Sequence, residues 1–149
     1  TSEWNVNSEL DWNLLKYESH NKLQECVRDL NFIMQTYPSI YEYQFFKKGF
    51  EWLSLEEKEE GIFIFRRKGS NPDKDIIVVL NTSNCDYSGR KYKWKGKKIW
   101  KEIFNSNSIA YWGSGTYQNS NSISTYKNKK EQVCEIIIDI PALSAMIFC

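Results

Sequence analysis

A change of hydrophobic period at Pro38 constrains this chain more than any other feature. Before it, Leu23, Cys26, Val27, Leu30, Ile33, Met34 and Tyr37 recur at steps of three and four. That spacing puts them on one face of an α-helix running from His20 to Tyr37. Asn21, three residues before Gln24, is the expected N-cap, and Pro38 stops the helix because it lacks an N–H and clashes with the preceding turn. After Pro38 the helical period does not return. Short runs rich in β-branched and aromatic residues take over, punctuated by Gly69-Ser70-Asn71-Pro72-Asp73, Ser88-Gly89, Gly96-Lys97 and Asn119-Ser120-Asn121.

The expected strands are Phe50 to Leu53, Ile62 to Arg67, Ile76 to Asn81, Arg90 to Lys95, Lys98 to Phe104, Ile109 to Trp112, Ser122 to Tyr126, Val133 to Ile140 and Leu143 to Phe148. Strands at this spacing, without helices between them, argue for antiparallel pairing. The expected fold is therefore mainly β, an antiparallel β-sandwich with one long N-terminal α-helix docked on it. Ile62-Phe63-Ile64-Phe65 and Ile76-Ile77-Val78-Val79-Leu80 are apolar throughout. They read as central strands covered on both faces, with the helix on the outer side. Gly113 to Ser124, rich in Ser and Asn, reads as a mobile surface loop.

The 149 residues, 41% of them hydrophobic, suffice for one core. A net charge of +1 creates no long-range field toward nucleic acid or an acidic membrane, so neither is an expected partner. No apolar run approaches membrane-spanning length, and no signal-like segment precedes the helix. Cys26, Cys85, Cys134 and Cys149 form no CxxC pair, and the lone His20 is near none of them, so no metal site is expected. The cysteines read as reduced thiols in a cytosolic, or cytoplasmic, protein. A chain that opens on Thr1 rather than Met is expected to be a fragment or a processed product.

Catalytic signatures are absent: no Gly-rich phosphate loop, no nucleophile elbow and no metal-ligand cluster. Paired carboxylates would suffice for glycoside chemistry, and Asp11, Asp29 and Glu51 are available. Asp29 beside Arg28 reads more simply as a local ion pair, and Glu51 as a strand residue. Glu56 to Glu60 reads as a solvated charged turn. No catalytic residue is assigned. Arg90-Lys91-Tyr92-Lys93-Trp94-Lys95 alternates cation and aromatic. On a strand the rings then point away from the lysines, which suits a half-buried strand better than a base-stacking surface. Of the six tryptophans, Trp94 and Trp100 read as core. Trp52, between Glu51 and the charged turn, is the leading candidate for an exposed ring that stacks on a ligand, with Trp12 behind it.

Several blocks together resemble one family. They are Glu3-Trp4-Asn5, Leu10-Asp11-Trp12-Asn13-Leu14-Leu15, His20, Gln24, Val27-Arg28-Asp29-Leu30-Asn31, Tyr37-Pro38 and Gly49-Phe50-Glu51-Trp52. They are similar to the C-terminal part of the 1,4-α-glucan (glycogen) branching enzymes of the α-amylase type. Val78-Val79-Leu80-Asn81, Trp100-Lys101-Glu102, Phe104-Asn105-Ser106, Tyr111-Trp112-Gly113-Ser114-Gly115 and Pro141-Ala142-Leu143 extend the resemblance. The chain departs from it at Thr82-Ser83-Asn84-Cys85, where the family continues with an aromatic and Thr-Pro.

The resemblance implies an enzyme that transfers an α-1,4-glucan segment to a 6-hydroxyl in glycogen synthesis, without a metal or organic cofactor. Its catalytic carboxylates would lie upstream on a (β/α)8 barrel, leaving this chain inert by itself. Residues 1–38 would be the last loop and helix of that barrel, and 39–149 the all-β C-terminal domain. The expected partners are the barrel of the same polypeptide and α-glucan, held at Trp52 and Trp12. Parted from a barrel, the helix face with Leu23, Val27, Leu30 and Met34 should fold wholly onto the sandwich or drive self-association. The alternative is a free-standing carbohydrate- or nucleic-acid-binding β-module using residues 90–95.

Overall fold

The computed structural model describes residues 5–96, 99–119, 125–128 and 133–149, with 125–128 as backbone only. The helical period becomes α1 (Glu18–Thr36). The β runs become eight strands among the described residues: β1 (Phe50–Ser54), β2 (Ile62–Arg67), β3 (Ile76–Asn81), β4 (Tyr87–Lys95), β5 (Glu102–Asn105), β6 (Thr125–Asn128), β7 (Val133–Ile140) and β8 (Ser144–Phe148). Five strands form an antiparallel sheet in the order β1-β2-β3-β8-β5, and three form a second in the order β4-β7-β6. Neither closes into a barrel.

The two sheets are joined by an apolar seam. Alternation along β2 turns Ile62 and Ile64 inward, and antiparallel pairing sets Ile64 opposite Val79 and Val79 opposite Met146. These meet Trp94, Cys134, Ile136, Ile138 and Ile140 from the smaller sheet. Trp100, from the connection into β5, completes the seam. Its ring lies edge-on to Trp94 at 6.0 Å, while Phe148 approaches Trp94 at 5.3 Å. Trp94 and Trp100 are thus core residues, as expected.

One ion pair is sealed at the rim of this seam. Arg66 donates to Asp75 Oδ2 through Nη2 at 2.7 Å and through Nε at 3.1 Å, and through Nη1 to the Lys95 carbonyl at 2.9 Å. Asp75 Oδ1 accepts from the Gly69 N–H. The arrangement tethers β2 to the end of β4 across the sandwich. Gly96 turns beside it with φ +110, where any Cβ would run into the guanidinium.

A second, smaller core lies on the outer face of the larger sheet. Ile76 of β3, Phe104 of β5 and Ile147 of β8 receive Ile33 of α1, with Cys26, Tyr37 and Ile40 around them. The helix does lie outside the sheet, but it covers only the β3, β8 and β5 side. Of its apolar face only Ile33 is fully buried, while Leu23, Val27, Leu30 and Met34 remain exposed. The expectation that this face folds wholly onto the sandwich is corrected: the outer core receives the helix through Ile33, with Cys26 and Tyr37 beside it, and the rest of the broad apolar stripe finds no cover there.

Other expectations are corrected for local reasons. Asn21 is not the cap. The chain enters α1 from a 3-10 turn at Trp12–Lys16, and the Asn21 N–H already bonds to the Tyr17 carbonyl inside the first turn. Ile109 to Trp112 is not a strand. Ser108 Oγ accepts from the Ala110 N–H and starts a 3-10 turn at Ile109–Tyr111. The strand expected from Lys98 begins only at Glu102, and residues 97–98 lie outside the described residues. So do 122–124 of the strand expected at Ser122 to Tyr126. In the loop from Gly113, the described part is anchored rather than loose. The Asn119 amide pairs with both the N–H and the carbonyl of Asp139 on β7.

Candidate functional site

Trp52 lies on β1, an edge strand of the larger sheet, and is 50% exposed. The strand period sends Phe50 and Trp52 to the outer face, beyond the reach of α1, while Leu53 packs on the inner core. Trp52 sits edge-on to Phe50 at 5.0 Å and to Phe65, its cross-strand partner, at 5.8 Å. Phe50 and Phe65 stack at 5.3 Å. The indole is therefore packed T-shaped against both rings, and half of the residue stays open to solvent. A rigid, partly wet aromatic face suits the apolar C–H side of a sugar ring. Glu51, its neighbour, places its carboxylate 3.3 Å from Lys68.

Trp12 lies in the 3-10 turn before α1, 62% exposed. Asp11 starts that turn by accepting from the Asn13 N–H. Among the described residues no ring contact joins Trp12 to Trp52, and the two stand on separate elements.

Each carboxylate weighed as a catalyst has structural work instead. Asp29 accepts from the Tyr111 hydroxyl at 2.8 Å and from Arg28 Nε at 3.2 Å. The Tyr111 bond, then Arg28, holds the Asp29 carboxyl below its ordinary range. Burial, then the facing carboxylate, pushes the Tyr111 phenol up. Tyr111 also stacks on Phe104 at 5.2 Å, so this pair ties α1 to the outer core. Glu102, half-buried, accepts from the Asn119 side chain at 2.8 Å; burial raises its pKa. Among the described residues no group of three or more His, Cys, Asp or Glu could hold a metal ion. No disulfide joins the four cysteines.

The charged run at Glu56 to Glu60 is more than a solvated turn. Glu57 accepts from the Tyr92 hydroxyl at 2.7 Å and pairs with Arg90 at 3.1 Å, and Glu60 also pairs with Arg90. This clamp braces the turn before β2 against β4. On β4 the Tyr92 and Trp94 rings stack at 6.3 Å on the inner side, away from the exposed Lys91, Lys93 and Lys95. Those rings are not presented for stacking on bases. At the divergent segment 82–85, Asn81 Nδ2 donates to the carbonyls of Cys85 and Pro141, and Asn81 Oδ1 accepts from Ser83, so the turn is closed from beneath.

One feature had no counterpart in the strand reading. Trp112 and Leu143 are the two non-glycine residues with positive φ among the described residues, at 68° and 46°. Each such placement costs roughly 1–2 kcal/mol. Backbone bonds hold both: Trp112 N–H to the Ile109 carbonyl at 3.1 Å, and Leu143 N–H to the Ser83 carbonyl at 2.9 Å. Their side chains, 65% and 73% exposed, flank one open groove of about 490 Å³ against the first turns of α1. The Ser108 cap that ends the strand pattern is the signal that could have revealed it.

Residues 52–149 match the family model described as "Alpha amylase, C-terminal all-beta domain". The 1,4-alpha-glucan branching enzyme GlgB of Oceanobacillus iheyensis is 30% identical over 147 residues, which is 99% of this chain and 23% of that protein. Those of Rhodopseudomonas palustris and Aquifex aeolicus are each 38% identical over 75% and 76% of this chain, and 16% and 18% of their own lengths. The chain thus spans about a fifth of the relatives it matches. Among the described residues no helix is long and apolar enough to cross a membrane.

Proposed function

This chain belongs to the alpha-amylase C-terminal all-beta domain family, and from that premise we propose that it is the C-terminal part of a cytoplasmic 1,4-alpha-glucan branching enzyme. The observation that carries the reading is the reach of the similarity. It extends over α1 and the segment before it, well upstream of the all-β match at residue 52. In this reading residues 1–38 are the last loop and helix of a (β/α)8 barrel, and 39–149 the domain that follows. The complete polypeptide cleaves an α-1,4 bond through a covalent glycosyl-enzyme and passes the freed segment to a 6-hydroxyl. That is the retaining two-carboxylate scheme with a sugar as acceptor, run without metal or organic cofactor.

The carboxylates for that chemistry belong to the upstream polypeptide, so this chain alone is inactive. Its work is mechanical and adhesive. The exposed stripe of Leu23, Val27, Leu30 and Met34 seats against the barrel, and the outer core with the Tyr111–Asp29 bond fastens α1 to the sandwich. Without the barrel the same stripe drives self-association. Trp52 offers α-glucan a stacking surface, with Trp12 as a second. Calorimetric titration with maltoheptaose tests the Trp52 role: binding should be weak and weaker still in Trp52→Ala, and unchanged affinity removes Trp52 from the site. The parent reading is tested by the fall in iodine staining of amylose, which the complete polypeptide should produce and this chain alone should not.

A further inference from the structure

We propose that the groove between Trp112 and Leu143 is an α-glucan subsite that opens on the catalytic face of the barrel. The inference rests on the reading above and deepens it. In a (β/α)8 barrel each strand runs into its helix through a loop on the catalytic face, so the first turn of every barrel helix lies at that face. If α1 is the last barrel helix, Ser19 and His20 mark its catalytic end, and both line the groove. Trp12, in the turn that leads into α1, stands at the same end.

The lining fits a sugar chain better than a purely apolar partner. Trp112 supplies a broad ring and Leu143 an aliphatic wall for C–H faces, while Ser19 and the exposed His20 bring hydroxyl and imidazole groups for sugar hydroxyls. The volume of about 490 Å³ lies within the range of small-molecule sites. Both apolar walls stand on left-handed backbone, which disfavours bulky side chains, and both are presented outward rather than used in packing. A side chain held there without a packing role points to a ligand.

The test is maltoheptaose binding to the complete polypeptide by calorimetry, in a Trp52→Ala background so that the edge-strand site does not mask the groove. Trp112→Gly suits the left-handed backbone, so its melting temperature should not fall, while affinity should drop about tenfold. Trp112→Phe should recover part of the loss. Unchanged affinity in Trp112→Gly would overturn the proposal. If the groove is instead covered by upstream polypeptide, Trp112→Gly will lower the melting temperature and leave affinity intact, which overturns it too. Branching of amylose by the unmutated polypeptide is measured alongside. Its absence defeats the parent reading, whereas branching with Trp112-independent binding defeats this inference alone.

Discussion

The two faces of the larger sheet are built from the same strands and do opposite things. The inner face is saturated: Ile62, Ile64, Val79, Met146 and Phe148 meet a matching set from the smaller sheet, and two tryptophans fill what remains. The outer face is half finished. α1 covers one side through Ile33, Cys26 and Tyr37, leaving its own stripe and Trp52, backed by Phe50 and Phe65, exposed. The difference teaches where each kind of information lies. Stability resides in the inner seam, whose partners are all in this chain. The unfinished side is where the account places partners outside the sandwich.

That contrast can be broken most forcefully in the inner seam. Trp94→Ala should cost about 4 kcal/mol, because it removes a large buried ring and leaves a cavity between the sheets. Urea denaturation followed by intrinsic fluorescence reads it. A cost under about 1 kcal/mol would mean that the seam is not the main source of stability. Arg66→Ala should come next, at about 3 kcal/mol, since it leaves the buried Asp75 carboxylate without its guanidinium. Arg66→Met with Asp75→Leu should recover most of that loss; if it does not, the carbonyl contact to Lys95 matters more than the pair.

Effects on the outer face should be smaller and conditional. Tyr111→Phe removes the bond that holds down the Asp29 pKa and should lower the melting temperature modestly at neutral pH. The sign follows from the depressed carboxyl. Its contribution is fully present above the ordinary carboxylate value of about 4 and is lost as pH falls through the lower folded value. The difference between wild type and Tyr111→Phe should therefore shrink on acidification. A difference that grows instead would contradict the assignment. Smallest of all, Leu23→Ser or Met34→Ser should change the stability of this chain by no more than about 0.5 kcal/mol, and should lower sedimentation-detected self-association. In the complete polypeptide the same substitutions should lower the melting temperature; equal, negligible effects in both settings would mean that the stripe covers nothing.

Much of the inner architecture was legible before any coordinates. β2 and β3 fall at Ile62–Arg67 and Ile76–Asn81, as read, because continuous β-branched and aromatic runs bounded by turns admit few other solutions. The exposure of Trp52 was readable from the charges around it. What escaped depends on distant or local polar bonds that periodicity does not register. Glu57 and Glu60 looked solvated because their partners, Arg90 and Tyr92, lie about thirty residues downstream. Ile109-Ala110-Tyr111-Trp112 looked like a strand because its composition is apolar, yet the Ser108 hydroxyl caps a turn there and throws Trp112 outward. The uncovered helix stripe was visible as a pattern, but only geometry could tell how little of it the sandwich reaches.

The central claim is that this sandwich and its helix are the adhesive, non-catalytic end of a branching enzyme. Its most direct test compares the complete polypeptide with residues 1–149 alone on amylose, scoring new α-1,6 linkages after debranching and chain-length separation. The account predicts branches from the complete polypeptide and none from the chain alone. Branches made by the chain alone, or none made by the complete polypeptide, would contradict it.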